Sequence, residues 1–155
     1  MAKLKYAKNI VFDTKPFPPD LVEKMKARRK DIKSTIQATR MLWMDDTMVK
    51  GATFYMECVW LWEGSVQGST EEPHVHDFDE IIGFVGCNRE SPHDLGGEIE
   101  LWLGDEQYIL TKSCLVFIPK GMKHCPMIFR KINKPVLLMT IGNRSMYGRE
   151  SKPES

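Results

Sequence analysis

Residues 72–84 read EPHVHDFDEIIGF. His74 and His76 stand one residue apart, and Glu80 follows four residues after the second, just before the chain turns apolar and β-branched. Imidazoles and a carboxylate are ligands for divalent first-row metals. In an extended strand side chains alternate with period two, so residues 74, 76 and 80 project to one side if Phe78 keeps the alternation. The same side continues through Ile82 and Phe84, so metal-grade ligands share a face with core residues. The two other histidines are His93 and His124. His124 lies in IPKGMKHCP, where Pro119 and Gly121 predict a tight turn ahead of a new strand. An antiparallel neighbour would bring it beside the first group, and three imidazoles and one carboxylate would converge inside a barrel.

Strands must position such a set, and the sequence supplies them. Segments rich in β-branched and aromatic residues run over 39–44, 52–62, 80–85, 98–103, 107–111, 114–118, 125–129 and 135–141. Turn signals separate them, among them Gly96-Gly97, Gly104-Asp105 and Lys120-Gly121. Many short strands punctuated in this way predict an all-β sandwich or barrel over residues 38–146, not a parallel α/β sheet. Residues 1–37 read as an N-terminal arm and one short helix. A short strand is expected at residues 9–12, and Pro16, Pro18 and Pro19 exclude regular structure around them. Asp20 and Glu23 have capping-box spacing for the helix, and Leu21, Val22 and Met25, extended by Ile32 and Ile36, supply its apolar stripe. The polar tail, 147–155, is expected to be flexible.

The two histidine segments resemble the paired motifs of the cupin superfamily, and the chain is similar to a small single-domain cupin. The first motif reads Gly68-STEEP-His74-Val75-His76-DFD-Glu80-IIGFV-Gly86, and the second Ser113-CLVFI-Pro119-Lys120-Gly121-MK-His124. The departures are peripheral. Gly86 comes one residue early, Ser113 replaces a glycine, Ile128 stands where many members have asparagine, and the loop CNRESPHDLGG (87–97) lengthens the gap between motifs.

The resemblance implies a double-stranded β-helix, the cupin jelly-roll barrel, holding one metal through His74, His76, Glu80 and His124. Three neutral imidazoles and a carboxylate suit a divalent transition metal: Fe, Mn, Ni, Co, Cu or Zn. Four protein ligands leave one or two positions open in a five- or six-coordinate centre, unlike a closed structural zinc site. The implied function is a metal-dependent enzyme acting on a small oxygen-rich organic molecule by dioxygenase, isomerase, decarboxylase or lyase chemistry. The alternative is a non-catalytic metal-containing cupin that binds a carbohydrate-like ligand or effector. Fold alone does not choose. Candidates to line the pocket are Tyr55, Glu57, Phe84 and Trp102. Alternation leaves open whether Tyr55 and Glu57 or Met56, Cys58, Trp60 and Trp62 look inward, and whether Glu100 and Trp102 or Leu101 and Leu103 do. Arg40, Arg89 and Arg130 are candidate anchors for a carboxylate, and His93 is a candidate gate or acid–base group. Alternation turns Cys125 away from His124, which makes it a packing residue.

Composition narrows the partners. The 155 residues suit one domain, and a net charge of +1 gives no field that argues for nucleic acid. No apolar run approaches the roughly 20 residues of a membrane helix. The start, MAKLKYAKNI, is basic without the apolar stretch of a signal peptide, so a cytoplasmic protein is expected. Cys58, Cys87, Cys114 and Cys125 form no CxxC pair and read as reduced thiols. A homodimer is expected, formed through barrel faces, the N-terminal arm or the aromatics around Trp60.

Overall fold

The computed structural model describes residues 4–145; the expected flexible tail lies outside them. A 3₁₀ turn at Ala7–Asn9 precedes helix α1 (Pro19–Arg29). Ten strands follow: β1 (Lys33–Ser34), β2 (Ala38–Met44), β3 (Tyr55–Leu61), β4 (Val66–Gln67), β5 (Glu80–Gly86), β6 (Asp94–Leu103), β7 (Glu106–Lys112), β8 (Cys114–Ile118), β9 (His124–Ile132) and β10 (Val136–Gly142). One sheet has the order β2-β3-β10-β5-β8 and faces a second, β7-β6-β9, while β1 pairs with β4. Every pairing is antiparallel. Chain neighbours are rarely sheet neighbours, which is how a jelly roll differs from a meander.

The core fills the space between the two sheets. Ile82, Phe84, Ile118, Val136 and Leu138 enter from the large sheet, and Leu95, Ile99, Leu101, Met127 and Phe129 from the small one. Alternation along β5 puts Glu80, Ile82 and Phe84 inside and Ile81, Gly83 and Val85 outside, as the β-branched run EIIGFVG predicts.

The N-terminal region departs from expectation in three ways. No strand forms at residues 9–12, where the chain leaves the 3₁₀ turn in extended but unpaired form. Helix α1 begins at Pro19 with Pro18 as N-cap, so Asp20 lies in the first turn and makes no capping bond. Proline suits that position because the missing N–H would be unsatisfied there anyway. The helix also ends before Ile32 and Ile36, which instead pack individually against the core. The arm itself is tied down beyond the helix: the Trp43 amide donates to the Asp13 carbonyl, and Lys15 pairs with Asp45, itself 1% exposed.

Candidate metal centre

Glu80 opens β5 on the inner face, where register aligns it with Gly142 of β10 and, one strand further, with Tyr55 of β3. The Tyr55 hydroxyl donates to Glu80 Oε1 at 2.7 Å. To do so the phenol ring crosses Gly142: a Cβ there would lie 2.2 Å from Tyr55 Cε1. Gly142 is therefore part of the site's construction. Its role depends on a register between three strands, which no local motif encodes. Tyr55 is fully buried, stacks on Trp43 at 6.1 Å between centroids, and meets Phe78 edge-on at 5.6 Å.

The histidine segment is not a strand. Residues 75–79 form an irregular bend held by backbone and loop contacts. The Gly121 amide donates to the His76 carbonyl at 2.8 Å, and the Lys120 amide to Asp79 Oδ1 at 2.8 Å. The first contact needs the left-handed turn at Gly121, φ +79°, which glycine adopts freely. His74 meets His124 through a two-way backbone bridge, with N···O distances of 3.1 and 3.0 Å. The two motifs thus clamp one another across the barrel.

This brings ligand atoms of His76, Glu80 and His124, all buried, within 4.8 Å of one another. His124 Nε2 lies 3.2 Å from Glu80 Oε2, and His76 Nε2 lies 3.6 Å from Glu80 Oε1. His74 sits beside this triad, with its ring centroid 4.3 Å from that of His124 and 4.7 Å from that of His76. Two backbone carbonyls fix the imidazoles. His124 Nδ1 faces the Met122 carbonyl at 3.0 Å and His74 Nδ1 faces the Glu72 carbonyl at 2.6 Å. Carbonyls only accept, so each Nδ1 carries the proton and each Nε2 presents a lone pair. His124 Nε2 is buried and makes no hydrogen bond. A lone pair held at contact distance from a carboxylate is two acceptors facing each other, an arrangement that asks for a cation between them. Burial pushes the Glu80 carboxyl up; positive charge on His124 and His76, which those rings carry only when protonated, and the hydrogen bond from the Tyr55 hydroxyl act the other way and hold it below the usual carboxylate range. The donor set fits a divalent metal.

Cys125 packs in the hydrophobic core, as expected, but it does not turn away from His124. Its φ of +67° breaks the strand alternation, so consecutive residues His124 and Cys125 are both buried. The thiol joins His74 and His124 in a second group of donors within 4.8 Å.

The other expected site residues fall in four places. Tyr55 holds Glu80. Glu57 faces inward from β3, in register with Thr140. Phe84 is fully buried in the hydrophobic core, two residues along β5 from Ile82. Trp102 does not line the interior: it lies across β6 from Leu101, and its indole N–H donates to Glu100, which pairs with the outward Arg130 at 2.6 Å. His93 is exposed, and its carbonyl accepts from Ser113, at the end of β8 remote from Ile118 and Glu80, so it cannot gate the metal ligands. Ser113, in place of a motif glycine, uses its hydroxyl to bridge the Gly86 amide and the Pro92 carbonyl, each at 3.0 Å. Arg89 is exposed. Of the three arginines only Arg40 reaches the interior, where Nη1 lies 3.9 Å from Glu57.

No family model matches the chain, and no curated protein matches its sequence. Solved structures do share its course. They include a putative ethanolamine utilization protein Q from Salmonella typhimurium, 14% identical with a TM-score of 0.41, covering 72% of this chain and 71% of that one. KdgF from Halomonas sp. is 18% identical with a TM-score of 0.42, covering 74% and 86%. An oxalate oxidase in complex with the substrate analogue glycolate is 16% identical with a TM-score of 0.47; the match covers 74% of this chain but only 54% of that one. These are distant likenesses of backbone course, and nothing about this chain's chemistry follows from them. What defines the class is the barrel with its two motifs meeting across it: this is the cupin fold.

Proposed function

We propose that the chain is a metal-dependent cupin enzyme acting on a small oxygen-rich organic molecule. Its metal is held by His76, Glu80 and His124, with His74 as the fourth ligand. The observation that carries this reading is the buried, unbonded His124 Nε2 facing Glu80 Oε2 at 3.2 Å. A bound divalent metal would supply Lewis acidity or a site for dioxygen at its open positions. The protein's own part is separable. Tyr55 orients Glu80, the Met122 and Glu72 carbonyls fix two imidazole tautomers, and Phe78, stacked 4.5 Å from His76, keeps that ring's flank dry. The half-buried inward residues Glu57, Val59 and Thr140 mark the side from which a small molecule enters.

The reading is tested by loading metal-free protein separately with Fe(II), Mn(II), Ni(II), Co(II), Cu(II) and Zn(II). Each form is then assayed for dioxygen uptake and for conversion of hydroxy acids, keto acids and uronates. Turnover that vanishes in a folded His76→Ala variant supports an enzyme. Ligand binding without turnover in every metal form supports the carbohydrate or effector binder instead.

A homodimer would form through the outside of the large sheet. Across the outside of the large sheet one row reads Leu42, Cys58, Met139, Gly83, Leu115, and the next runs from Met44 to Phe117, without a polar side chain in either. Leu115 and Phe117 are 69% and 61% exposed. Five strands about 4.8 Å apart give a face roughly 20 Å wide, and such an uncharged patch suits the same face of a second copy related by a two-fold axis. No helix among the described residues is long and apolar enough to cross a membrane.

A further inference from the structure

Inward positions of the large sheet form rows. The row of Tyr55, Gly142 and Glu80 serves the metal ligands; the next, two residues along, carries Glu57, Thr140 and Ile82. About 7 Å of strand separates two such rows. Arg40 of β2 leans over this second row from the position paired with Val59.

The Arg40 side chain is held on three sides. Its guanidinium lies 3.6 Å from the centre of the Phe17 ring and 5.3 Å from that of Trp43, and Nη2 donates to the Lys15 carbonyl. The remaining edge is different. Nη1 is buried and makes no hydrogen bond, and the Glu57 carboxylate stands off at 3.9 Å. Arg130 shows what a closed pair looks like in this chain, with Nη2 2.6 Å from Glu100 and Nε 2.7 Å from the same oxygen. Arg40 and Glu57 are more deeply buried than Arg130 yet do not close. Burial pushes the Glu57 carboxyl up, and Glu71 and Glu80 add to this against the pull of Arg40. Glu57 is thus a poor counter-ion for the cation it faces. Burial also pushes the Arg40 guanidinium down, against the opposing pull of Glu57, so the cation too lacks full compensation.

We propose that Arg40 is the anchor for a carboxylate of the bound molecule, so that the ligand class is a small organic acid. It rests on the metal reading, because the acid's other oxygens would face the metal ligands. A guanidinium stacked on the Phe17 ring with Trp43 nearby keeps its plane and offers a planar fork that matches a carboxylate. One row of strand between anchor and ligands suits a chain of about three to five carbons. Glu57 occupies the anchor weakly until the acid arrives.

The test uses Co(II)-loaded protein, whose visible bands report metal occupancy before any acid is added. Malonate, succinate and glutarate are titrated by calorimetry, each against its uncharged diamide. The expected result is at least tenfold tighter binding of one acid than of its diamide. Arg40→Gln should lose at least tenfold for the acid and leave the diamide unchanged. Arg130→Gln should change neither, and Glu57→Gln should bind the acid as tightly as the native chain or more so. Equal affinities for acid and diamide in the native protein overturn the proposal, a comparison that holds even if Arg40→Gln fails to fold. So does Glu57→Gln binding the acid more weakly. Cobalt bound without discrimination by charge overturns the anchor and leaves the metal centre standing. If cobalt does not bind, the metal centre fails on its own, and absence of acid binding to metal-free protein then overturns the anchor as well.

Discussion

Tyr55→Phe removes one oxygen atom and nothing else from the wall of the site. The hydroxyl is fully buried and its 2.7 Å bond ends on a buried carboxylate, so no water replaces it at once. A hydrogen bond to a charged group contributes about 1.5–3 kcal/mol, and the upper half applies where the acceptor is left buried. For a chain of this length about 2.5 kcal/mol lowers the melting temperature by roughly 5–10 °C. The bond exists without metal, so this loss should appear in urea denaturation of metal-free protein. Metal affinity should also fall, about tenfold or more, as expected when a group that orients a ligand is removed. The reason is that Glu80, held below the usual carboxylate range partly by Tyr55, becomes easier to protonate and less ordered. Denaturation curves and chelator competition on both proteins give the two numbers. Unchanged stability in the metal-free variant would refute the reasoning, since the bond would then contribute nothing where it is seen.

Other consequences are separable from that one. Gly142→Ala drives a methyl into the Tyr55 and Phe78 rings, at 2.2 and 2.8 Å, and should cost more than the roughly 1–3 kcal/mol of ordinary overpacking, read as a loss of soluble, cooperatively melting protein. Burial pushes the Asp45 carboxyl up, but Lys15, Thr47 and Trp43 hydrogen bonds prevail and bring it to about 2 from 3.8. Its folded value is depressed, so its stabilisation of about 2 kcal/mol is present above pH 4 and lost as pH falls toward 2. Urea midpoints of Asp45→Asn should accordingly show a shallower decline than native protein across that window. Leu115→Lys with Phe117→Lys should convert a dimer to a monomer in sedimentation at micromolar concentration; a native protein already monomeric there refutes the shared face. Cys125→Ala should keep metal stoichiometry if imidazoles and Glu80 form the site, whereas its loss would favour the His74, His124 and Cys125 group.

How far this could be read from sequence follows from what each feature depends on. That His74, His76, Glu80 and His124 come together was legible because residue type and spacing within each motif are local, and β5 was legible because EIIGFVG alternates cleanly. The bend at 75–79 was not. Two-residue spacing is the same in a strand and in a loop tied to Gly121 and Asn143, and only the contacts decide. The direction of Cys125 was not legible, though its packing was, because alternation assumes extended backbone, which its φ of +67° violates. Trp102 and Phe84 show the limit of parity reasoning. It groups residues by face but cannot say which face looks in, nor whether an inward residue meets core or cavity. Gly142 and the Arg40–Glu57 approach depend on register among β2, β3, β10 and β5, a long-range property. The helix start shifted because proline geometry overrode a capping-box pattern.

The most direct measurement of the central claim is metal content by inductively coupled plasma mass spectrometry on protein purified without oxygen or chelator, with folded His76→Ala and His124→Ala alongside. Close to one divalent transition metal per native chain, and little in either variant, is the expected result. Native protein without metal, and with a melting temperature unmoved by added Fe(II), Mn(II), Ni(II), Co(II), Cu(II) or Zn(II), would contradict it.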